Sequence, residues 1–328
     1  MIKNVSVNQL LFSDLLVTEP VDKVNEQITG DSKRGKFILT GSRGCGKSTV
    51  LARREAQSIK TPHPAILTRF DGAGLFGTKD NKYYNKPIIE HYYEVIMCKK
   101  FLDYIKEYYP DLFVAKFGRL DSVTSNRLYG IDHYINNAMY KDCEIGHKLF
   151  SGEALSEIVS LFRQGVGAES LTLMIDRFDW THNSDPRVQD ILKNYFSMFE
   201  KVILTSDDPS ISNDKKRKAA LDDRGYQLVQ MDYGTYLDPV REIVQRRFEL
   251  DEDTTFPIGD VQDEDYLKLI DRCGGNIDMI LDTFQYAEAL RNWDSSKDLS
   301  KVIEDAGTDK LNGVKQYRKM VKPPKLHL

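Results

Sequence analysis

Nine consecutive residues have the types and spacing of a loop that binds phosphate: Gly41, Ser42, Arg43, Gly44, Cys45, Gly46, Lys47, Ser48 and Thr49. They fit the pattern G-x-x-x-x-G-K-[ST]. Glycines let the backbone curl so that successive amides converge on an anion, and a helix that follows points its positive end at the same charge. Lys47 would neutralise the β- and γ-phosphates, and the Ser48 hydroxyl would coordinate Mg²⁺. The segment therefore predicts a site for Mg-ATP.

The second feature is an acidic residue at the end of a predicted buried strand. The apolar run Leu171–Ile175 ends in Asp176, and an acid at the carboxyl end of a strand next to a phosphate loop can hold Mg²⁺. Many such ATPases place Glu directly after this Asp to polarise the attacking water, but here Arg177 follows. Asp179 is a candidate for that catalytic base, and the alternative is that it only caps a loop or helix. Hydrolysis is therefore expected to be slow or to need a partner.

Strands and helices that alternate along the chain would position these residues. The strand Lys36–Leu39 is predicted before the loop and the helix Ser48–Ser58 after it. Further predicted strands are Ala65–Phe70, Leu171–Ile175, Lys201–Thr205 and Gln227–Met231. Helices are predicted over 87–108, 152–164 and 190–199, with short helices within 110–150 and a polar loop over 207–223. This alternation is typical of an α/β fold in which helices flank a parallel central sheet.

The pattern changes after residue 235, where helices follow one another without strands. They are predicted over 238–249, 263–272, 276–291 and 297–306. We therefore expect an ATPase core over 1–235, a small all-α lid domain over 236–310 and a basic, extended tail over 311–328.

Composition limits the class of protein. The chain has 328 residues, of which 41% are hydrophobic and 29% charged, and its formal net charge of -4 makes no case for nucleic acid on its own. The four cysteines form no CxxC pair, which argues against a zinc framework and for a reducing compartment. No apolar run is long enough to span a membrane, and the N-terminus lacks a secretory pattern. We expect a cytoplasmic protein with no membrane partner.

The order of the motifs carries a family resemblance. After the loop and Asp176 come the polar-ended strand Val202–Ser206, then Asp223-Arg224-Gly225-Tyr226, Tyr233-Gly234-Thr235-Tyr236 and Gln245-Arg246-Arg247, and finally Gly274-Gly275-Asn276-Ile277. This order resembles an AAA+ P-loop ATPase, most of all the prokaryotic relatives of the ORC/Cdc6 group, over roughly residues 15–290. The phosphate loop is specific, whereas the other motifs are individually weak.

The resemblance implies roles for several residues. Thr205 or Ser206 would sense the γ-phosphate, unless these are plain strand-end hydroxyls. Arg224 would be an arginine finger that reaches the γ-phosphate of a neighbouring subunit, unless it is an ordinary surface arginine. Tyr236, with Pro239, would contact the adenine. The family thus implies ATP and Mg²⁺ as cofactors and a homo-oligomer as the working assembly.

Two departures from the family pattern stand out. The lid helix usually carries an arginine just after its Gly-Gly-Asn turn, but Ile277 and Asp278 occupy that place. The ORC group also has a winged-helix DNA-binding domain after the lid, and too few residues remain after 291 to form one. The chain is therefore either a minimal member or depends on a separate partner protein for recognition.

Two local basic patches could contact nucleic acid. Lys215, Lys216, Arg217 and Lys218 form a compact cluster, predicted to lie in a loop, that could track a phosphate backbone in a salt-sensitive manner. The alternative is a solvated, mobile loop. Tail residues make the second patch, with Tyr317 interleaved. The alternatives there are a floppy basic tail or a protein-docking segment. The cations of this patch are Lys315, Arg318, Lys319, Lys322 and Lys325.

Two functions remain open at this point, and a third is disfavoured. The chain could be an oligomerising ATPase switch that acts on DNA or on a partner protein, as an initiator, loader or transposition regulator does. It could instead be the ATP-gated regulatory subunit of a bacterial or phage defence or signalling module, with slow or no hydrolysis. A housekeeping P-loop kinase is disfavoured, because its lid helices would lie within the core rather than after the sheet.

Overall fold

The fold is known from a computed structural model. It describes residues 24, 28, 34–41, 44–69, 86–122, 124–126, 153–176, 178, 193–206, 211, 214–231, 233–249, 254–293 and 298–320. The chain divides into two compact units. The sheet unit comprises Asn25–Thr40 and Lys47–Gln230. The helical unit comprises Met231–Leu328, the loop Gly41–Gly46 and Met1–Val24.

Five parallel strands form the sheet, in the order β2-β3-β4-β1-β5. Their bounds are Gly35–Thr40 (β1), Ala65–Arg69 (β2), Thr172–Asp176 (β3), Lys201–Ser206 (β4) and Tyr226–Gln230 (β5). Strands β3 and β4 are buried along their whole length, because helices cover both faces of a parallel sheet of this kind. The protein is therefore an α/β protein with an all-parallel sheet, as the sequence predicted.

The strand register brings polar residues to one edge of the sheet. Thr40 pairs with Ser206 on one side and with Gln230 on the other, while Arg69 pairs with Asp176. Each of these residues ends its strand, and the strands all run in the same direction. The carboxyl ends of the five strands consequently form one continuous edge, and their amino ends form the opposite edge.

Helices of the sheet unit pack on this sheet and on one another. They are Lys47–Ser58 (α1), Lys86–Tyr108 (α2), Pro110–Lys116 (α3), Glu153–Val166 (α4) and Lys215–Asp222 (α5). Helices α2 and α4 pack on each other, with the rings of Phe101 and Phe162 edge to face and 5.7 Å between centroids. Phe199 packs on the same Phe101 ring and continues the core to the start of β4. Phe101 and Ile105 of α2 are thus part of the core.

The helical unit has a core of its own. Its helices are Leu237–Glu249 (α6), Asp263–Cys273 (α7), Ile277–Trp293 (α8) and Leu299–Met320 (α9). Phe248, Phe256, Tyr266 and Phe284 pack against one another at its centre. Helix α7 ends at Gly274, whose φ of 59° is left-handed, and the turn then leads directly into α8.

Two predictions about the chain's course were wrong. Residues 215–222 form α5 instead of a loop, because Asp214 caps the helix through the amide of Lys216 at 2.8 Å and good helix formers follow. Residues 311–320 continue α9 instead of starting an extended tail. Residues 321–328 lie outside the described part of the chain. Among the described residues, no helix is long and apolar enough to cross a membrane.

Candidate functional site

Three predicted site residues meet at the carboxyl edge of the sheet. Asp176, which is 1% exposed, ends β3, and its carboxylate accepts hydrogen bonds from two hydroxyls. Ser48 donates from the first turn of α1, with Oγ 3.0 Å from Oδ1 and 2.8 Å from Oδ2. Thr205 donates from β4, with Oγ1 2.9 Å from Oδ1. The side chains are therefore gathered from two strands and one helix onto one carboxylate.

The sheet order explains this meeting. Strand β4 lies between β1, which leads into the glycine loop, and β3, which ends in Asp176. The end of β4 is therefore next to both. The backbone adds a further link, since the Phe178 amide donates to the Thr205 carbonyl oxygen at 2.9 Å. Thr205 is the member of the predicted Thr205–Ser206 pair that contacts Asp176, while Ser206 lies buried beside Thr40.

Lys47 is the first residue of α1, directly before Ser48, and its side chain is only 6% exposed. A lysine is seldom buried unless it is paired, and Lys47 has an interaction partner in the structure. Thr49, by contrast, is exposed. The ammonium group and the Ser48 hydroxyl thus both start from the first turn of one helix, where the helix dipole favours an anion.

The glycine loop has the backbone that its sequence predicts. Gly44 has a φ of 78° and Gly46 a φ of 89°, both in the left-handed region that favours glycine. Cys45 between them is buried. Ser42 and Arg43 lie outside the described residues. Within the helical unit, a Cβ on Gly44 would collide with the Asn276 side chain, so the loop contacts the turn before α8 at this point.

The oxygen atoms around Asp176 fit Mg²⁺. A buried carboxylate and a serine hydroxyl are hard oxygen donors, and Mg²⁺ usually binds proteins through one or two carboxylates and completes its coordination with phosphate oxygens and water. Among the described residues, no group of three or more His, Cys, Asp or Glu side chains could hold a metal ion. Ser48 and Asp176 supply two neighbouring oxygen donors of the kind that Mg²⁺ binds.

Arg224 does not join this group. It lies in the turn before β5, on the amino edge of the sheet, where it lines a groove of about 370 Å³ with Arg34 and Lys36. Strand β5 has five residues, and a strand rises about 3.3 Å per residue, so the two edges are about 16 Å apart. Arg224 therefore cannot reach a ligand at the Asp176 of its own chain.

The remaining predicted residues belong to other elements or lie outside the described part of the chain. Tyr236 follows the turn Tyr233–Thr235 in the helical unit and is 56% exposed. Lys215, Lys216 and Lys218 are exposed on the first turn of α5, and the side chain of Arg217 lies outside the described residues. The proposed base Asp179 and its neighbour Arg177 also lie outside them.

Sequence reasoning missed two buried hydroxyls. Thr40 ends β1 directly before the glycine loop, and Thr68 is the next-to-last residue of β2. Both are buried, and neither Oγ1 has a hydrogen-bond partner among the described residues. The position of Thr40, between an apolar strand and Gly41, could have predicted a buried hydroxyl there. For Thr68 the strand position alone offered no signal.

Comparisons with known proteins do not identify the chain: no protein-family model matches it, and no curated protein matches its sequence.

Proposed function

We propose that this chain is a P-loop ATPase of AAA+ type that binds Mg-ATP and acts as an oligomerising, nucleotide-dependent switch. The observation that carries the proposal is the Ser48–Asp176–Thr205 group. A serine that follows the loop lysine is hydrogen-bonded to the strand-end acid, and a threonine from the intervening strand bonds to the same carboxylate.

The glycine loop, Lys47 and the three residues of this group each have a role in the proposal. The loop amides and Lys47 would bind the phosphates, and Ser48 and Asp176 would hold Mg²⁺, which neutralises charge on the phosphate chain. Thr205 touches the metal-binding carboxylate, so a change at the γ-phosphate would alter its hydrogen bond. In this proposal α6–α9 are the lid, and the switch acts on DNA or on a partner protein.

In this proposal Arg224 acts between subunits of an oligomer. Because it lies on the edge opposite Asp176, its only route to a γ-phosphate is in a neighbouring subunit, which is the role of an arginine finger. The groove beside it, which contains Arg34 and Lys36, adds positive charge at the same edge. The edge that carries Arg224 would thus face the nucleotide of the next subunit.

A second candidate function is an ATP-gated regulatory subunit of a defence or signalling module, with slow or no hydrolysis. It is favoured by one observation: Arg177 follows Asp176, at the place of the usual glutamate. The two candidates differ in whether DNA stimulates both assembly and turnover. Stimulation of both favours the first, and ATP-dependent assembly without DNA and without turnover favours the second.

Loss of the Lys47 ammonium group tests the common core of both candidates. We expect Lys47→Ala to weaken ATP binding about tenfold to a hundredfold, because a charge-assisted hydrogen bond contributes about 1.5–3 kcal/mol. Isothermal titration calorimetry measures the affinity. Lys47→Met, which retains most of the aliphatic stem, should show the same loss, and the exposed Lys193→Ala should bind as the unsubstituted chain does. Unchanged affinity in both Lys47 variants would remove the site assignment.

A further inference from the structure

A carboxylate from the helical unit borders the glycine loop. A Cβ built on Gly44 would lie 3.0 Å from Oδ2 of Asp278, in addition to its collision with Asn276. Asn276 is held in place because its Oδ1 accepts the Met279 amide at 3.1 Å and so caps α8. Gly44, Asn276 and Asp278 all belong to one compact unit. A negative charge therefore lies next to the backbone that is proposed to hold phosphate.

An arginine on a different helix lies within range of this carboxylate's charge. Arg247 lies near the end of α6, and the Asp278 charge acts on it. Burial lowers the pKa of the Arg247 guanidinium and the Asp278 charge raises it, with burial the larger effect. Nη1 of Arg247 is buried and has no hydrogen-bond partner among the described residues. A buried N–H without a partner is costly, so this donor is available for an anion.

The neighbouring arginine is bound differently. Arg246 forms an ion pair with Glu242, one turn earlier on α6. It therefore already has a carboxylate on its own helix. The two adjacent arginines thus differ in environment although they share a charge and a helix, and Arg246 serves as a matched control for Arg247.

We propose that Arg247 binds phosphate beside the glycine-loop backbone at Gly44, and that Asp278 is its counterion until the phosphate arrives. Binding of the phosphate chain beside Gly44 then exchanges a carboxylate for a phosphate on the same guanidinium. Guanidinium groups bind phosphate through paired N–H donors, and a phosphate carries more charge than a carboxylate. This inference rests on the proposed ATP-binding function and gives a role to a residue for which the family resemblance implied none.

The exchange predicts effects of opposite sign for its two members. Asp278→Asn removes a charge that repels the phosphates and competes for Arg247, so ATP should bind about three- to tenfold more tightly. Arg247→Gln should weaken ATP binding about tenfold or more, and Arg247→Lys should recover part of that loss. In the Arg247→Gln background, Asp278→Asn should lose much of its effect, because the two residues act on one another.

Calorimetric titration of the full chain with ATP and Mg²⁺ measures these affinities at two salt concentrations. Arg246→Gln and Asp282→Asn, a charge removed one turn further along α8, should bind ATP nearly as the unsubstituted chain does. A merely structural role for Asp278 would weaken binding on substitution, so tighter binding is the distinguishing result.

Two results would overturn the inference, and they differ in what else they remove. If the unsubstituted chain binds ATP and Arg247→Gln binds it equally well, this inference fails and the proposed function stands. If the unsubstituted chain does not bind ATP, both fail.

Discussion

The buried carboxyl group of Glu55 should make the stability of the sheet unit depend on pH. Glu55 lies on α1, two turns after Lys47, and its Oε1 accepts the Leu67 amide of β2 at 2.8 Å. Burial raises its pKa to about 7, and nearby Glu107 adds to the rise, while the hydrogen bond from Leu67 opposes it. Its ordinary value is 4.5. The folded protein thus keeps a proton on Glu55 at pH values where the unfolded chain has lost it.

The sign and size follow from that difference. Between pH 4.5 and pH 7 the folded state binds more protons than the unfolded state, so stability falls as pH rises through this window. One pKa unit corresponds to about 1.36 kcal/mol. Relative to low pH, the free energy of unfolding is therefore lower by about 1.4 kcal/mol at about pH 5.5, and by about 3.4 kcal/mol above about pH 8. Glu55→Gln keeps the acceptor for Leu67 but cannot ionise, so it should be the more stable protein, and increasingly so at higher pH.

Urea denaturation followed by far-UV circular dichroism at about pH 5.5 and about pH 8 measures the effect. The free energy of unfolding of Glu55→Gln should exceed that of the unsubstituted chain by about 2 kcal/mol more at about pH 8 than at about pH 5.5. Glu157→Gln removes an exposed carboxylate from α4 and should show no such growth. An advantage of Glu55→Gln that stays the same at both pH values would refute the argument from burial.

Two further predictions concern charged residues at or near the amino edge of the sheet. Arg163 bonds Glu200 at 2.7 Å, and Glu200 also accepts the Leu171 amide; these bonds outweigh burial and lower the pKa of Glu200. Arg163→Ala should therefore cost about 1–3 kcal/mol in urea denaturation at neutral pH, with the cost shrinking as acid protonates Glu200; a pH-independent cost would contradict this. Arg224→Ala should leave the ATP affinity of the isolated subunit unchanged and abolish assembly-dependent turnover. Sedimentation measures assembly, and phosphate release measures turnover. Weakened ATP binding by the isolated subunit would argue against an arginine finger that acts between subunits.

The sheet could be predicted well from sequence because its strands are buried on both faces. Segments such as Leu173–Ile175 and Val202–Leu204 are continuous apolar stretches. The observed strands differ from the predictions by a residue or two at their ends. The meeting of Ser48 with Asp176 followed from the rule that parallel strands share a carboxyl edge. These features depend on local pattern and direction alone.

Other features depend on partners far along the chain, which a pattern does not contain. The charge run Lys215–Lys218 has the composition of a solvated loop, although Asp214 supplies a helix cap and Ala219 and Ala220 favour a helix. The proximity of Asp278 to Gly44 joins residues more than 200 positions apart, and only the fold brings them together. The choice of Thr205 over Ser206 as the neighbour of Asp176 likewise needed coordinates, because both are hydroxyl residues at the end of one strand.

The backbone link from Phe178 to Thr205 has a consequence for how this site could evolve. A main-chain hydrogen bond survives when a side chain is replaced, so the segment after Asp176 stays fastened to β4 whatever residue occupies position 205. Natural selection could therefore replace the Thr205 side chain without changing the course of the chain around it. Descendants of one ancestor could differ in the residue at position 205 while sharing the same scaffold.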